Sequence, residues 1–192
     1  PSEYEILSDY GTKTFTHTVS HKTFGNIGES IYVAPNGTAF GSGSKQRPLD
    51  IYTAVSYIRP GQMIILAEGT YQLSKTIKVE RGIDGTADQM IYMIADPEAT
   101  TRPVFDFGYQ CAGMVLGGDY WYFQGFDVTK TMNMQKGIQV SGNNCTYDQI
   151  NTYYNGNTGL QISRFATFDE KESCPSNNLI LNCTSYGNAD RG

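Results

Sequence analysis

The sequence has no basic run and no basic face. Lys and Arg total 14 against 19 Asp and Glu, a net charge of −5, so nothing here would neutralise a phosphate backbone, and a nucleic-acid partner is not expected. Long apolar runs are also missing. Stretches such as "MIILA" at 63–67 fall far short of the ~20 residues that a membrane-spanning helix needs, so no membrane partner is expected. Cysteine is sparse. Cys111, Cys145, Cys174 and Cys183 match no zinc-ligand spacing; buried thiols filling a core, or at least one disulfide among three full pairings, are the readings left open. The chain opens with neither Met nor a signal-peptide pattern, as expected of a mature or cut chain whose leader has been removed.

What is present is β-rich. The 192 residues include 21 Gly and 14 Tyr, with abundant Thr and Asn, a composition of short strands and many turns, long enough to bury a core. The chain also repeats itself. Tyr147-x-x-Ile150-x-Thr152 returns 33 residues later as Ile180-x-x-Cys183-x-Ser185, and Phe123-x-x-Phe126-x-Val128 precedes it by 24. "GIQV" at 137–140 returns as "GLQI" at 159–162, an offset of 22. The longer interval holds "ATFDEKESCP", 166–175, read as an inserted loop; removing about nine residues restores the shorter period.

Short strands at this period cannot bury their apolar faces alone. Stacked coil on coil they share one core and pair every backbone edge with a neighbour, which is a β-solenoid. A leucine-rich repeat has a similar length, but its Leu-x-x-Leu-x-Leu frame is absent. "YYNGN" and "YGNAD" read as equivalent corners, because Asn tolerates left-handed backbone.

The earlier part supplies a cap. "RPLDIYTAVSYIRPG" puts Leu49, Ile51, Ala54, Val55 and Ile58 on helical spacing, with Pro48 in front and Pro60-Gly61 as the stop. Such a helix would cover the open end of the core. Strand-like runs follow at "MIILAEG", "TIKVE", "MIYMIA", "PVFDF" and "GMVLGG". Residues 1–29 are expected to be an extension, either a linker or an extra strand, ahead of the solenoid at 30–192.

The run "SIYVAPNGTAFGSGSKQRPLDIYTAVSYIRPGQMIILAEGTY" resembles the opening of the pectin-lyase-like right-handed parallel β-helix proteins. With "GGDYWYFQGFDV" and "LILNCTSYGNAD" added, the chain most resembles polysaccharide lyase family 9 over about residues 30–192. The resemblance implies an all-β right-handed parallel β-helix. It implies a secreted, monomeric enzyme that cleaves an acidic, pectate-like plant polysaccharide by β-elimination. It also implies a Ca2+ ion that grips the substrate carboxylate and a lysine that takes the proton beside it. Those residue types suit the chemistry: a cation stabilises the charge that builds on the carboxylate, and the base must be uncharged when it attacks. The cation would also reconcile an acidic protein with an acidic polymer.

The sequence departs from that family at the metal. The clustered Asp-Asp-Gly-x-Asp motif is absent; in its register stand Asn157, Thr158 and Gln161, and only Asp190 in the next coil matches a ligand position. One aspartate cannot satisfy an ion that takes about six to eight oxygens. The acidic cluster and the base are therefore expected in further coils, with this chain an N-terminal portion, inactive alone and with its catalytic residue unassigned. The strands "GIQV" and "GLQI" would turn Ile138, Val140, Leu160 and Ile162 inward and Gln139, Gln161 and Ser163 outward. The outward side is where such lyases bind sugar. Lys136 and Arg164 flank it as candidate carboxylate contacts. Tyr153 and Tyr154 offer either a sugar-stacking face or stacked rungs. A polygalacturonase-like hydrolase and a non-catalytic carbohydrate-binding or adhesin β-helix share the same fold and stay open as alternatives.

Overall fold

The computed structural model describes the backbone of residues 2–8 and 11–17, and residues 23–26, 28–163 and 174–190 in full. Strands β1 (Ser2–Ser8) and β2 (Gly11–His17) pair antiparallel as a hairpin of their own. Every later strand among the described residues belongs to one of three parallel sheets.

The first sheet contains β3 (Ser30–Val33), β4 (Met63–Leu66), β7 (Ile91–Ala95), β10 (Trp121–Gln124), β13 (Thr146–Asp148) and β16 (Leu179–Leu181). The second contains β5 (Gly69–Gln72), β8 (Pro103–Asp106), β11 (Asp127–Thr129), β14 (Asn151–Tyr153) and β17 (Thr184–Tyr186). The third contains β6 (Ile77–Val79), β9 (Met114–Leu116), β12 (Ile138–Val140) and β15 (Leu160–Ile162). The chain visits the three sheets in turn and then repeats, so each strand pairs in parallel with the strand one coil away. This is a parallel β-helix. Its register matches the sequence repeat: Phe123 pairs with Tyr147 and Tyr147 with Ile180, while Ile138 pairs with Leu160. The insertion at 166–175 lies largely outside the described residues.

The core is the tube between the sheets. Alternation turns Ile77, Val79, Met114, Leu116, Ile138 and Val140 inward, each at most 2% exposed. Like side chains stack on like. Trp121, Phe123 and Tyr147 lie nearly flat on one another, centroids 5.2 and 5.3 Å apart. Tyr71, Phe105 and Phe126 form a second stack, edge to face, at 5.1 and 5.2 Å. Each such pair adds about 0.5–1.5 kcal/mol beyond the burial itself. Leu160 is half-buried and Ile162 is 38% exposed, because β15 is the edge of its sheet among the described residues. All four cysteines are free thiols: Cys145 is buried, Cys111 and Cys183 pack against the core, and Cys174 is exposed.

Three short strands per coil demand three sharp corners. Each corner uses one left-handed residue at the same place in successive coils: Tyr120, Asn144 and Asn177 before the first sheet, then Gly125, Gln149 and Asn182 after it. Lys130, Tyr154 and Gly187 do the same after the second sheet, with φ of 55°, 55° and 61°. A left-handed non-glycine residue costs about 1 kcal/mol, and the hydrogen bonds of the corner offset this. Asn155, 2% exposed, donates from Nδ2 to the Val128 carbonyl, and its Oδ1 accepts from Thr131 N. One coil on, Asn188 Nδ2 donates to the Thr152 carbonyl and Asn188 Oδ1 accepts from Asn155 N, so the two motifs "YYNGN" and "YGNAD" are stacked corners.

The capping helix α1 runs Ile51–Tyr57. Pro48 and Leu49 fall outside it because Asp50 is the N-cap, its carboxylate accepting from Thr53 N at 2.9 Å and Thr53 Oγ1 at 2.7 Å. Leu49 is nevertheless fully buried and bridges to Val33. Ile51, Ala54 and Val55 are buried, and α1 packs on β3 and β6, covering one end of the tube.

Candidate functional site

The third sheet is the surface on which the sequence candidates meet. With Ile77, Val79, Met114, Leu116, Ile138 and Val140 committed to the core, the middle residue of each strand must face outward. The pairing aligns these residues as one row across the sheet: Lys78, Val115, Gln139, Gln161. Strands about 4.8 Å apart make that row about 14 Å long.

A glycine precedes three of these strands for a steric reason. A Cβ on Gly113 would lie 2.0 Å from the Gly137 carbonyl oxygen, and one on Gly137 would lie 2.4 Å from that of Gly159. Any side chain there would push the coils apart and break the bonds from Met114 N to Gly137 O and from Ile138 N to Gly159 O. The glycines thus keep the row flat and closely spaced.

Gln139 and Gln161 are half-buried neighbours in the row. The Oε1 of Gln161 is buried and has no hydrogen-bond partner. Lys136 stands two residues ahead of Ile138, at the corner that forms one rim of the face, half-buried and with no carboxylate partner among the described residues. Asp190 lies at the same rim, exposed, two positions past Asn188 and therefore one coil on from Asn157. Asn157 is already committed, its Oδ1 accepting from Thr158 N and Thr158 Oγ1. Arg164 lies outside the described residues.

Metal ligands do not converge. Among the described residues no three His, Cys, Asp or Glu side chains come together. Asp190 is therefore not part of a calcium site built from this chain's described residues.

The charge distribution is uneven in a way the sequence candidates did not include. Lys130 Nζ pairs with Asp106 at 2.6 Å and Arg102 Nε with Asp127 at 2.6 Å, both outside the second sheet. The bond to Asp106 also pushes the Lys130 ammonium pKa above its usual value. Lys45 pairs with Asp96 and Glu98, while Arg47 and Arg59 donate to the Phe40 and Gly25 carbonyls. Among the lysines with described side chains, those left without a carboxylate are Lys75, Lys78 and Lys136. All three sit on the third sheet or its rim. Lys75 precedes Ile77 by two residues as Lys136 precedes Ile138, two coils away. The alternation of "TIKVE" carried the signal for Lys78, but only the register shows that it shares a row with Gln139 and Gln161.

Tyr153 and Tyr154 have divided roles. Tyr153 stacks on Tyr186 at 5.1 Å and bonds Asp127 through its hydroxyl, so it is a rung of the second sheet. Tyr154, 52% exposed, stands edge-on to both rings.

A chain that visits three parallel sheets in turn, each strand paired with the one a coil away, is a parallel β-helix. Residues 31–192 match the family model described as Pel9A-like, right-handed beta helix region, and the chain belongs to that family. It is 38% identical over 190 residues to pectate lyase L of Thermoclostridium stercorarium, covering 99% of this chain and 15% of that protein. Against pectate lyase L of Paenibacillus polymyxa (strain SC2) the identity is 34%, over 83% of this chain and 36% of the relative. The crystal structure of pectate lyase Pel9A superposes with a TM-score of 0.64 at 27% identity, covering 82% of this chain and 48% of the other. The chain thus spans well under half the length of these curated relatives.

Proposed function

We propose that this chain forms polymer-binding coils of a secreted, monomeric polysaccharide lyase that cleaves a pectate-type polyuronate by β-elimination. The observation that carries the reading is the gathering of unpaired lysines on one face of an acidic β-helix, alongside Gln139 and Gln161. On the other faces, described lysine charge is spent on internal carboxylates. An ammonium without an internal partner is free to meet a uronate carboxylate, and an amide row supplies donors and acceptors for ring hydroxyls. Names of the matched relatives agree: both are called pectate lyase L.

In this reading Lys136 meets a substrate carboxylate at the rim, while the outward-facing Gln139 and Gln161 orient the sugar. Arg164, outside the described residues, is kept as a proposed carboxylate contact. Calcium dependence is proposed for the intact enzyme on the strength of the family resemblance alone. Among the described residues of this chain no ligand cluster for the ion forms, Asp190 being a single candidate. The general base is unassigned.

The test is ultraviolet absorbance of the unsaturated product when the intact protein is incubated with polygalacturonate, with and without a chelator. Absorbance that rises and is abolished by the chelator supports the reading. New reducing ends without unsaturation would indicate hydrolysis, and retention of polymer without cleavage would indicate a binding module.

A further inference from the structure

We propose that the notch where α1 meets β6 is an end subsite for an acidic sugar, with Lys78 as its anchoring cation. The proposal rests on the polyuronate reading above and extends it by about 14 Å along the coil axis. The outward row does not stop at the two glutamines; it continues through Val115 to Lys78 on β6, beside the capping helix. There the surface is concave. A cavity of about 230 Å³ opens between α1 and β6, lined by Tyr52, Ser56, Thr76, Lys78, Glu80 and Ile83.

The lining has the parts of a sugar site. Tyr52 is half-buried and fixed by its hydroxyl, which donates to the Lys75 carbonyl at 2.7 Å, so its ring is held in place beside the notch. An immobile aromatic beside a cation can pack a pyranose and bind its carboxylate together. Thr76 Oγ1 donates to the Ala112 carbonyl, which leaves the hydroxyl oxygen as an acceptor. Lys75 adds a second unpaired ammonium at the same end. Glu80 is the opposing charge in the lining, and no ion pair joins it to Lys78. Within the notch Lys78 attracts a uronate and Glu80 opposes it, so removing either charge shifts affinity in the opposite direction. A polymer long enough to reach from Gln161 to the notch gains a contact that a short oligomer cannot make.

The experiment uses the intact protein and two readouts: affinity electrophoresis in gels containing polygalacturonate, and KM on the polymer and on the shortest cleaved oligomer. Lys78→Gln is expected to weaken retention and raise the polymer KM about threefold to tenfold, leaving kcat and the short-oligomer KM within twofold. Glu80→Gln is expected to move retention the other way. Lys45→Ala, which removes a lysine already paired with Asp96 and Glu98 away from this face, is the control and is expected to change neither. Unchanged retention in both Lys78→Gln and Glu80→Gln overturns the subsite. An intact protein that eliminates normally with no effect from either variant keeps the lyase reading and loses the notch. A protein that binds but does not cleave, with binding lost in Lys78→Gln, keeps the notch and loses the lyase.

Discussion

Asp148 and Cys145 show how one position in the coil sets a side chain's chemistry. The Asp148 carboxylate accepts first from Asn182 of the next coil, and from Tyr122 and Gln124 on its other side, which together hold its pKa below the ordinary 3.8. A carboxylate with a depressed folded pKa contributes stability that is present above its unfolded value and lost as pH falls through the folded one. Thermal melts of the wild-type chain should therefore lose more stability than those of Asp148→Asn as pH drops from about 4 to about 2. Equal slopes would show that the ladder does not depend on the charge. Burial pushes the Cys145 thiol up to about 11, so near neutral pH it stays protonated and unreactive. In the folded protein, iodoacetamide followed by peptide mass spectrometry should label exposed Cys174 well before Cys145.

Among the elements, the corners are as decisive as the strands. Strands of three residues hold few ladder bonds each, so the direction in which the chain leaves one sheet depends on a corner residue and its hydrogen bonds. Asn155 is the clearest case, since its amide serves Val128 O and Thr131 N at once and meets Asn188 above. Asn155→Ala would remove the side-chain acceptor of the buried Thr131 N–H and a donor to the Val128 carbonyl, and should cost about 2–3 kcal/mol in urea denaturation. A loss under about 0.5 kcal/mol would mean that the neighbouring coils close over the gap. At the other end of the tube the cap depends on a single carboxylate, and Asp50→Ala should cost about 1 kcal/mol by the same measurement.

For the molecule as a whole, net charge is a poor guide to what it binds. At −5 the chain should repel an acidic polymer on average, yet the unpaired lysines among the described residues gather on one face, Lys75 and Lys136 two coils apart, a span of about 10 Å that is close to the Debye length. Retention on polygalacturonate should therefore fall several-fold as salt rises from about 0.05 to about 0.5 M, and Lys136→Ala should flatten that dependence. Salt-independent retention would remove the electrostatic part of the proposed function.

Much of this was legible in the sequence because a solenoid writes its contacts at short range. The offsets of 24 and 33 between Phe123, Tyr147 and Ile180 reappear as strand pairs, and alternation in "GIQV" fixed which residues the core would take. Helix α1 was visible from its apolar spacing, although its start at Ile51 depended on the Asp50 cap rather than on Pro48. What the sequence could not state was which outward residues share a row. Lys78 and Gln161 are 83 positions apart, with unequal coils between them, and only the tertiary register sums those lengths and sets both on one face. Pairing of charge was hidden for the same reason. Whether a lysine meets an internal carboxylate, as Lys130 meets Asp106, or faces solvent, as Lys78 does, depends on which coil lies beside it. Periodicity determined the fold; stacking decided the surface.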